Sequence, residues 1–265
     1  MTRRTAIALT SMLTITLTVM QLTVGPEQAR ALHSTGYPST VSMGPNLSAM
    51  LAPLDPDRRI EVFVGIIDPG RVDSVRHYYH SGAARRDQAM LVRRAEAALG
   101  SWSASFCPEG VRACRGTVVM DIDDTVLDSS TFYEVVNPPF TFDREAWSAF
   151  RDSCRQRVIT PSRGMIRRLH AAGWHVVLLT GRSETARAAT VLCLRRRGVD
   201  GWDELVMRRP ADASLSASRW KARHRTLLEG AGWRIAASIG DQMSDMPTAP
   251  ETMGFLMPNP IYAVS

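Results

Sequence analysis

Lysine is nearly absent from this chain: of its 32 Lys and Arg residues, only Lys221 is a lysine. In so arginine-rich a composition, Lys221 marks a place for a compact, strongly hydrated ammonium rather than a planar guanidinium, with chance survival the plainer alternative. Long basic runs are missing too. Short ones such as Arg195-Arg196-Arg197 read as solvated faces, so no nucleic-acid partner is expected. Cysteine is scarce, at four residues, and no Cys-x-x-Cys pair or histidine cluster accompanies them, which argues against a structural zinc site. The six histidines lie apart from the acidic motifs in sequence, and His170, His175 and His224 read as surface or packing residues. No internal repeat or low-complexity tract occurs, which excludes a solenoid.

What is present suits a globular protein. The chain has 265 residues, 45% hydrophobic and 22% charged, enough for one cored domain, or for a domain with a small lid. Its formal charge of +6 would draw a phosphorylated substrate, but equally any other anion, so the sign alone selects no partner.

The N-terminus reads as a secretory signal over residues 1–31. Two arginines lie within Met1–Arg4, an uncharged and mostly apolar stretch runs from Ala6 to Val24, and Ala29-Arg30-Ala31 offers a small-x-small cleavage site. Cleavage would leave Leu32 as the first mature residue, a secreted protein, and no stable membrane association. An uncleaved membrane anchor is the alternative, since the apolar stretch is about long enough to span a bilayer. Export makes the cysteines disulfide candidates, and four admit three pairings. Cys107 and Cys114 flank a Pro-Glu-Gly turn, which suits a local bridge and leaves Cys154 with Cys193; free buried thiols are the alternative.

Residues 32–57 are rich in Pro, Ser and Gly. Ile60–Ile67 suits a short strand, and Arg76–Leu99 a helix. From residue 117 strands and helices alternate. Apolar runs at Thr117–Ile122, His175–Leu179 and Arg234–Ile239, with a weaker one at Leu205–Met207, read as buried parallel strands. Ser162–Ala172, Glu184–Arg197 and Leu215–Glu229 read as helices, with Gly173, Gly198 and Gly232 placed to stop them. The expected fold class is α/β, a parallel sheet with helices on both faces. Residues 128–160 are too long and too aromatic for a simple crossover, and read as a small lid inserted over the site. A packed surface insertion without a substrate role is the alternative.

The run Asp121-Ile122-Asp123-Asp124-Thr125 closes the first core strand with three carboxylates, which repel one another unless a cation offsets them. Ligands of open α/β sheets sit beyond such carboxyl ends. Two residues apart on a strand, Asp121 and Asp123 would face one side and one reacting phosphorus. Asp121 suits a nucleophile and Asp123 a general acid and base. Thr180-Gly181 closes the second strand as a turn opening a helix, presenting a hydroxyl and backbone N–H groups to a phosphate, although a plain N-cap explains Thr180 as well. Lys221 precedes the third strand, which ends in Gly240-Asp241-Gln242-Met243-Ser244-Asp245 and adds two acids. Hard oxygen ligands of this kind suit Mg²⁺.

These four elements, in this order, resemble the haloacid dehalogenase (HAD) superfamily of phosphohydrolases over about residues 117–245. The resemblance implies a Rossmann-like fold over residues 32–265. It implies Asp121 as nucleophile, Asp123 as acid and base, and Thr180 and Gly181 as phosphate-binding residues steadied by Lys221. It also implies Mg²⁺ held by Asp121, Asp241 and the backbone carbonyl of Asp123, with Asp245 supporting. The Gly240–Asp245 segment with Phe255–Tyr262 resembles the branch of plant vegetative storage proteins and secreted bacterial acid phosphatases. Tyr78–Gly82 adds weaker support. Two positions depart from the plant pattern: Asp124 stands where Glu is usual, and Met243 where Trp is. The implied activity is hydrolysis of small phosphate monoesters at acidic pH. A catalytically weak storage or binding homologue and a phosphotransferase are the alternatives. Oligomeric state and physiological substrate are left open.

Overall fold

The computed structural model describes residues 62–63, 69–106, 116–135 and 142–264. The signal segment and the Cys107–Cys114 bridge lie outside the described residues. In chain order come β1 (Val62–Phe63), α1 (Pro69–His80), α2 (Ala83–Phe106), β2 (Thr117–Met120), β3 (Leu127–Asp128), α3 (Ser130–Val135), α4 (Arg144–Asp152) and β4 (Arg157–Val158). Then follow α5 (Thr160–Ala171), β5 (His175–Ser183), α6 (Arg187–Arg196), β6 (Glu204–Arg208), α7 (Ala217–Gly230), β7 (Ile235–Gly240), β8 (Met253–Leu256) and β9 (Ala263–Val264). Helix was expected as one piece over Arg76–Leu99. The chain instead breaks between α1 and α2, where Gly82 takes φ +77°, a conformation that a helix cannot contain.

Five strands form one parallel sheet in the order β6-β5-β2-β7-β8. Alternation along the strands explains the two layers of helix. Val118, Met120, Val176 and Leu178 join one apolar cluster with Ala95 and Leu99 of α2, Met165 and Ile166 of α5, and Leu194 of α6. Val119, Val177 and Leu179 point the other way, onto Trp220 and Leu228 of α7. Helix ends fall where glycine allows them: Gly173, Gly198 and Gly232 have φ of 80°, 65° and 94°, just beyond α5, α6 and α7.

The order of the strands places the site. From β2 the chain crosses to β5 and β6 on one side, then returns to β7 on the other. The loops leaving β2 and β7 therefore diverge at the carboxyl edge and open a crevice at this switch point. β2 and β7 are neighbours in register, with Met120 opposite Ile239 and the Asp121 N–H donating to the Ile239 carbonyl at 2.9 Å. Asp121 and Asp241, 120 positions apart in sequence, thus leave adjacent strands at the same level.

The 128–160 segment holds α3, α4 and a short antiparallel pairing of β3 with β4. Among the described residues, its aromatics build a small core of their own. Phe132, Tyr133 and Phe150 are buried with Val75 of α1 and Ile261, and Trp147 and Phe142 pack on them. Cys154, just past α4, is disulfide-bonded to Cys193 of α6, which ties this segment to the sheet's helical layer.

Candidate active site

β2 ends at Met120, earlier than expected, so Asp121, Asp123 and Asp124 stand in the loop beyond it rather than on the strand. Each carboxylate has its own partners there. Asp121 faces Lys221, whose Nζ donates to Oδ1 at 2.9 Å. The same ammonium donates to Asp245, and both it and the two acids are buried. Asp241 completes the group: carboxylate oxygens of Asp121, Asp241 and Asp245 lie within 4.8 Å of one another.

Local chemistry fixes these positions. Lys221 sits in the first turns of α7, which Ser216 caps by accepting from the Arg219 N–H at 3.2 Å. Asp245 closes a short turn as one half of a capping box, accepting from the Gln242 N–H at 3.0 Å. Gly240 makes room for it, since a Cβ there would overlap the Asp245 side chain. Gly240→Ala is therefore expected to push Asp245 off its seat and to lower stability by about 1–3 kcal/mol, the usual cost of overpacking. Thermal unfolding checks this, and an unchanged melting temperature would mean that Asp245 is not seated against Gly240. Asp241 accepts from Asn259 Nδ2 at 2.8 Å and from Gln242 Nε2. Asp124 takes φ 52°, a left-handed turn that Asp tolerates better than most residues. Its carboxylate accepts from the Ser129 N–H at 2.8 Å and from the Tyr262 hydroxyl at 2.6 Å.

Electrostatics divide the acids into two sets. Burial pushes the Asp121 carboxyl up to about 7, with help from Asp245 and Asp123 and against Lys221. Asp241 is raised well above the ordinary carboxylate range by burial, then by Asp121 and Asp124. Lys221 goes up as well, because the attraction of Asp121 and Asp245 outweighs the burial that would lower it. Asp123 goes the other way: burial alone would raise it, but the Arg182 ion pair and hydrogen bonds from Arg182 and Gln156 bring it below its ordinary value.

Three clustered carboxylates against one ammonium leave two negative charges uncompensated if all three are ionised. The donor set is all hard oxygen. A divalent cation fits both facts.

Thr180 and Gly181 differ from expectation. They do not open a helix; β5 runs through them to Ser183, and Ser183 is the residue that caps the next turn. The register with β6 shifts between Thr180 and Ser183, so the strand is irregular there. Thr180 is buried and Gly181 exposed. Arg182, the next residue, was not singled out in the sequence. It is buried and grips Asp123 bidentately, with Nε to Oδ2 at 3.0 Å and Nη2 to Oδ1 at 2.7 Å. Gln156, Asn259 and Tyr262 were also missed as site residues, although Asn259 and Tyr262 lie in the C-terminal segment that carried the narrower resemblance. Met243, one of the two positions that depart from the expected pattern, is exposed.

A family model described as "HAD superfamily, subfamily IIIB (Acid phosphatase)" matches residues 62–265. Acid phosphatase 1 of Solanum lycopersicum is 28% identical over 152 residues, covering 57% of this chain and 60% of that protein. Vegetative storage protein 1 of Arabidopsis thaliana is 27% identical over 170 residues, covering 61% of each. The chain thus spans about three-fifths of the length of these curated relatives. The structure of the class C acid phosphatase from Bacillus anthracis superposes with a TM-score of 0.60 at 16% identity, over 73% of this chain and 85% of that one, which shows a shared fold.

Proposed function

The chain belongs to subfamily IIIB of the HAD superfamily, the acid phosphatases, and from that premise we propose that it hydrolyses small phosphate monoesters through a phosphoryl-aspartate on Asp121. The observation that carries this reading is the buried meeting of Lys221 with Asp121 and Asp245, beside Asp241. In the first step an Asp121 carboxylate oxygen attacks phosphorus, the bond from phosphorus to the ester oxygen breaks, and Asp123 gives its proton to that oxygen. In the second, water attacks phosphorus, Asp123 takes the proton back, and the aspartyl bond breaks to release phosphate. The pair with Arg182 favours ionised Asp123, the form that accepts the proton from water in the second step, so the protonated form that the first step uses is populated toward acidic pH. Lys221 lies where it can hold the charge of Asp121 and of the phosphoryl oxygens together. Thr180 and Gly181, at the irregular end of β5, supply a hydroxyl and backbone N–H groups for those oxygens.

Asp121 and Asp241, with the backbone carbonyl of Asp123, would hold Mg²⁺, and Asp245 would support them. The ion would neutralise charge on the phosphoryl group, as in other phosphoryl transfers. With a chromogenic phosphate ester as substrate, activity is expected to fall to background in a chelator and to return on adding Mg²⁺. Full activity in the chelator would refute the metal requirement.

The relatives with storage-protein names suggest a weakly active homologue as the rival reading. Here Asp121, Asp123, Lys221, Asp241 and Asp245 are all retained, which favours turnover. Measurable hydrolysis in the same assay separates the two. Secretion is also proposed. The signal-like N-terminus supports it, and so does a Cys154–Cys193 disulfide, a bond that persists in oxidising compartments. Among the described residues no helix is long and apolar enough to cross a membrane.

A further inference from the structure

We infer that Gln156 is a positioning residue for Asp123, that it reserves Oδ2 of that carboxylate for proton transfer, and that the Cys154–Cys193 disulfide holds it there. The inference rests on the reading of Asp123 as the proton donor to the leaving oxygen.

Gln156 is fully buried, and both ends of its amide are engaged. Nε2 donates to Asp123 Oδ1 at 2.8 Å and to Ser129 Oγ at 3.1 Å, while Oε1 accepts from Arg182 Nη2 at 2.6 Å. The amide has one usable orientation, because flipping it would set its NH₂ group against the guanidinium, donor to donor. Arg182 is itself held, through Nη1 to Thr190 Oγ1 at 3.3 Å. Asp123, Arg182 and Gln156 therefore close a ring in which each member bonds the other two.

The ring treats the two carboxylate oxygens unequally. Oδ1 accepts from two donors, Arg182 Nη2 at 2.7 Å and Gln156 Nε2 at 2.8 Å. Oδ2 accepts from one, Arg182 Nε at 3.0 Å. Arginine alone would serve both oxygens alike; Gln156 breaks the symmetry. A proton on this carboxyl then belongs on Oδ2, whose remaining lone pair is free of protein donors among the described residues. As the bond from phosphorus to the ester oxygen breaks, that proton passes from Oδ2 to the departing oxygen, and water returns one to Oδ2 in the second step.

Gln156 is clamped on both sides. Arg157 and Val158 follow at once and pair with β3. Cys154, two residues before, is bonded to Cys193, which is fully buried on α6, and its carbonyl accepts from Arg197 Nη2 at 2.7 Å. The disulfide thus anchors to the sheet's helical layer a turn whose only buried member, Gln156, reaches the catalytic carboxylate.

The leaving group reads out the proton. A dinitrophenolate departs without one, and an alkoxide does not. Gln156→Met, which keeps the length of the side chain but no hydrogen bond, should lower kcat/KM for glycerol 2-phosphate about tenfold to a hundredfold, part of the usual contribution of a general acid. For 2,4-dinitrophenyl phosphate it should change kcat/KM less than about threefold, because that ratio reports only the step in which the ester oxygen departs. Gln156→Glu, which keeps the acceptor for Arg182 but faces Asp123 with a second carboxylate, should show the same split and serves if the methionine variant folds poorly. Cys154→Ala/Cys193→Ala should show it more weakly, because Arg197 still holds the Cys154 carbonyl. Equal losses of kcat/KM on both esters in the Gln156 variants would reduce Gln156 to a structural role and overturn the proposal. Cysteine variants with no split would overturn the part given to the disulfide. Wild-type protein inert toward both esters would instead sink the phosphatase reading itself.

Discussion

Asp121→Asn should remove turnover almost entirely, by roughly four orders of magnitude or more, the scale seen when a covalent nucleophile is lost. The amide has nearly the same shape as the carboxylate and can still accept from Lys221, but it forms no acyl phosphate. Structural damage is not expected to confuse the result. Burial, Asp245 and Asp123 already push the Asp121 carboxyl up to about 7, so the folded protein favours a neutral group at this position over a charged one. The metal-free variant should accordingly melt no lower than the wild type. Steady-state kinetics with a chromogenic ester and a thermal melt on the same sample make the check. Residual activity above about a hundredth of wild type would take the nucleophile role from Asp121.

Replacing Lys221 should damage both stability and chemistry. Its ammonium is the partner of Asp121 and Asp245, and all three are buried. Lys221→Met keeps the length of the stem but leaves those carboxylates without their cation. Breaking a buried pair by removing one partner typically costs about 3–5 kcal/mol, because the remaining charge has neither water nor partner. In a domain of this size that corresponds to a melting temperature roughly 10 °C lower. Lys221→Arg should fail nearly as badly, since a planar guanidinium must enter a space packed around a compact ammonium, in contact with Asp121 on one side and Asp245 on the other. Full activity in the arginine variant would show that any cation serves, and that the single lysine of the sequence is there by chance. Divalent cation should recover part of the melting temperature of the methionine variant, because it supplies the charge that Lys221 no longer does.

The two variants test different links. Asp121→Asn removes the reacting atom and leaves the electrostatic frame; Lys221→Met removes the frame and leaves the reacting atom. A protein that lost activity in both but stability only in the second would fit the proposed division of labour.

Much of this molecule was legible along the chain, because the relevant physics is local. Apolar runs ending in acids marked β2 and β7, since a buried strand repeats on the scale of a few residues and its carboxyl edge is where ligands collect. Gly173, Gly198 and Gly232 marked helix ends through a backbone conformation that glycine adopts freely. The lone Lys221 stood out by composition alone. What only the tertiary structure decided is which side chains meet. Arg182 is one of many arginines, and nothing in its neighbourhood along the chain says that it grips Asp123. Gln156 lies 33 residues from Asp123, and Tyr262 lies 138 from Asp124. Asp121 and Asp123 looked like one pair by strand alternation; the chain left the strand at Met120, and the two took partners from different elements. Periodicity reports how a segment meets its own hydrogen bonds and its core. The partner of a buried charge is set by which distant strands and helices pack side by side, and that is a property of the whole chain.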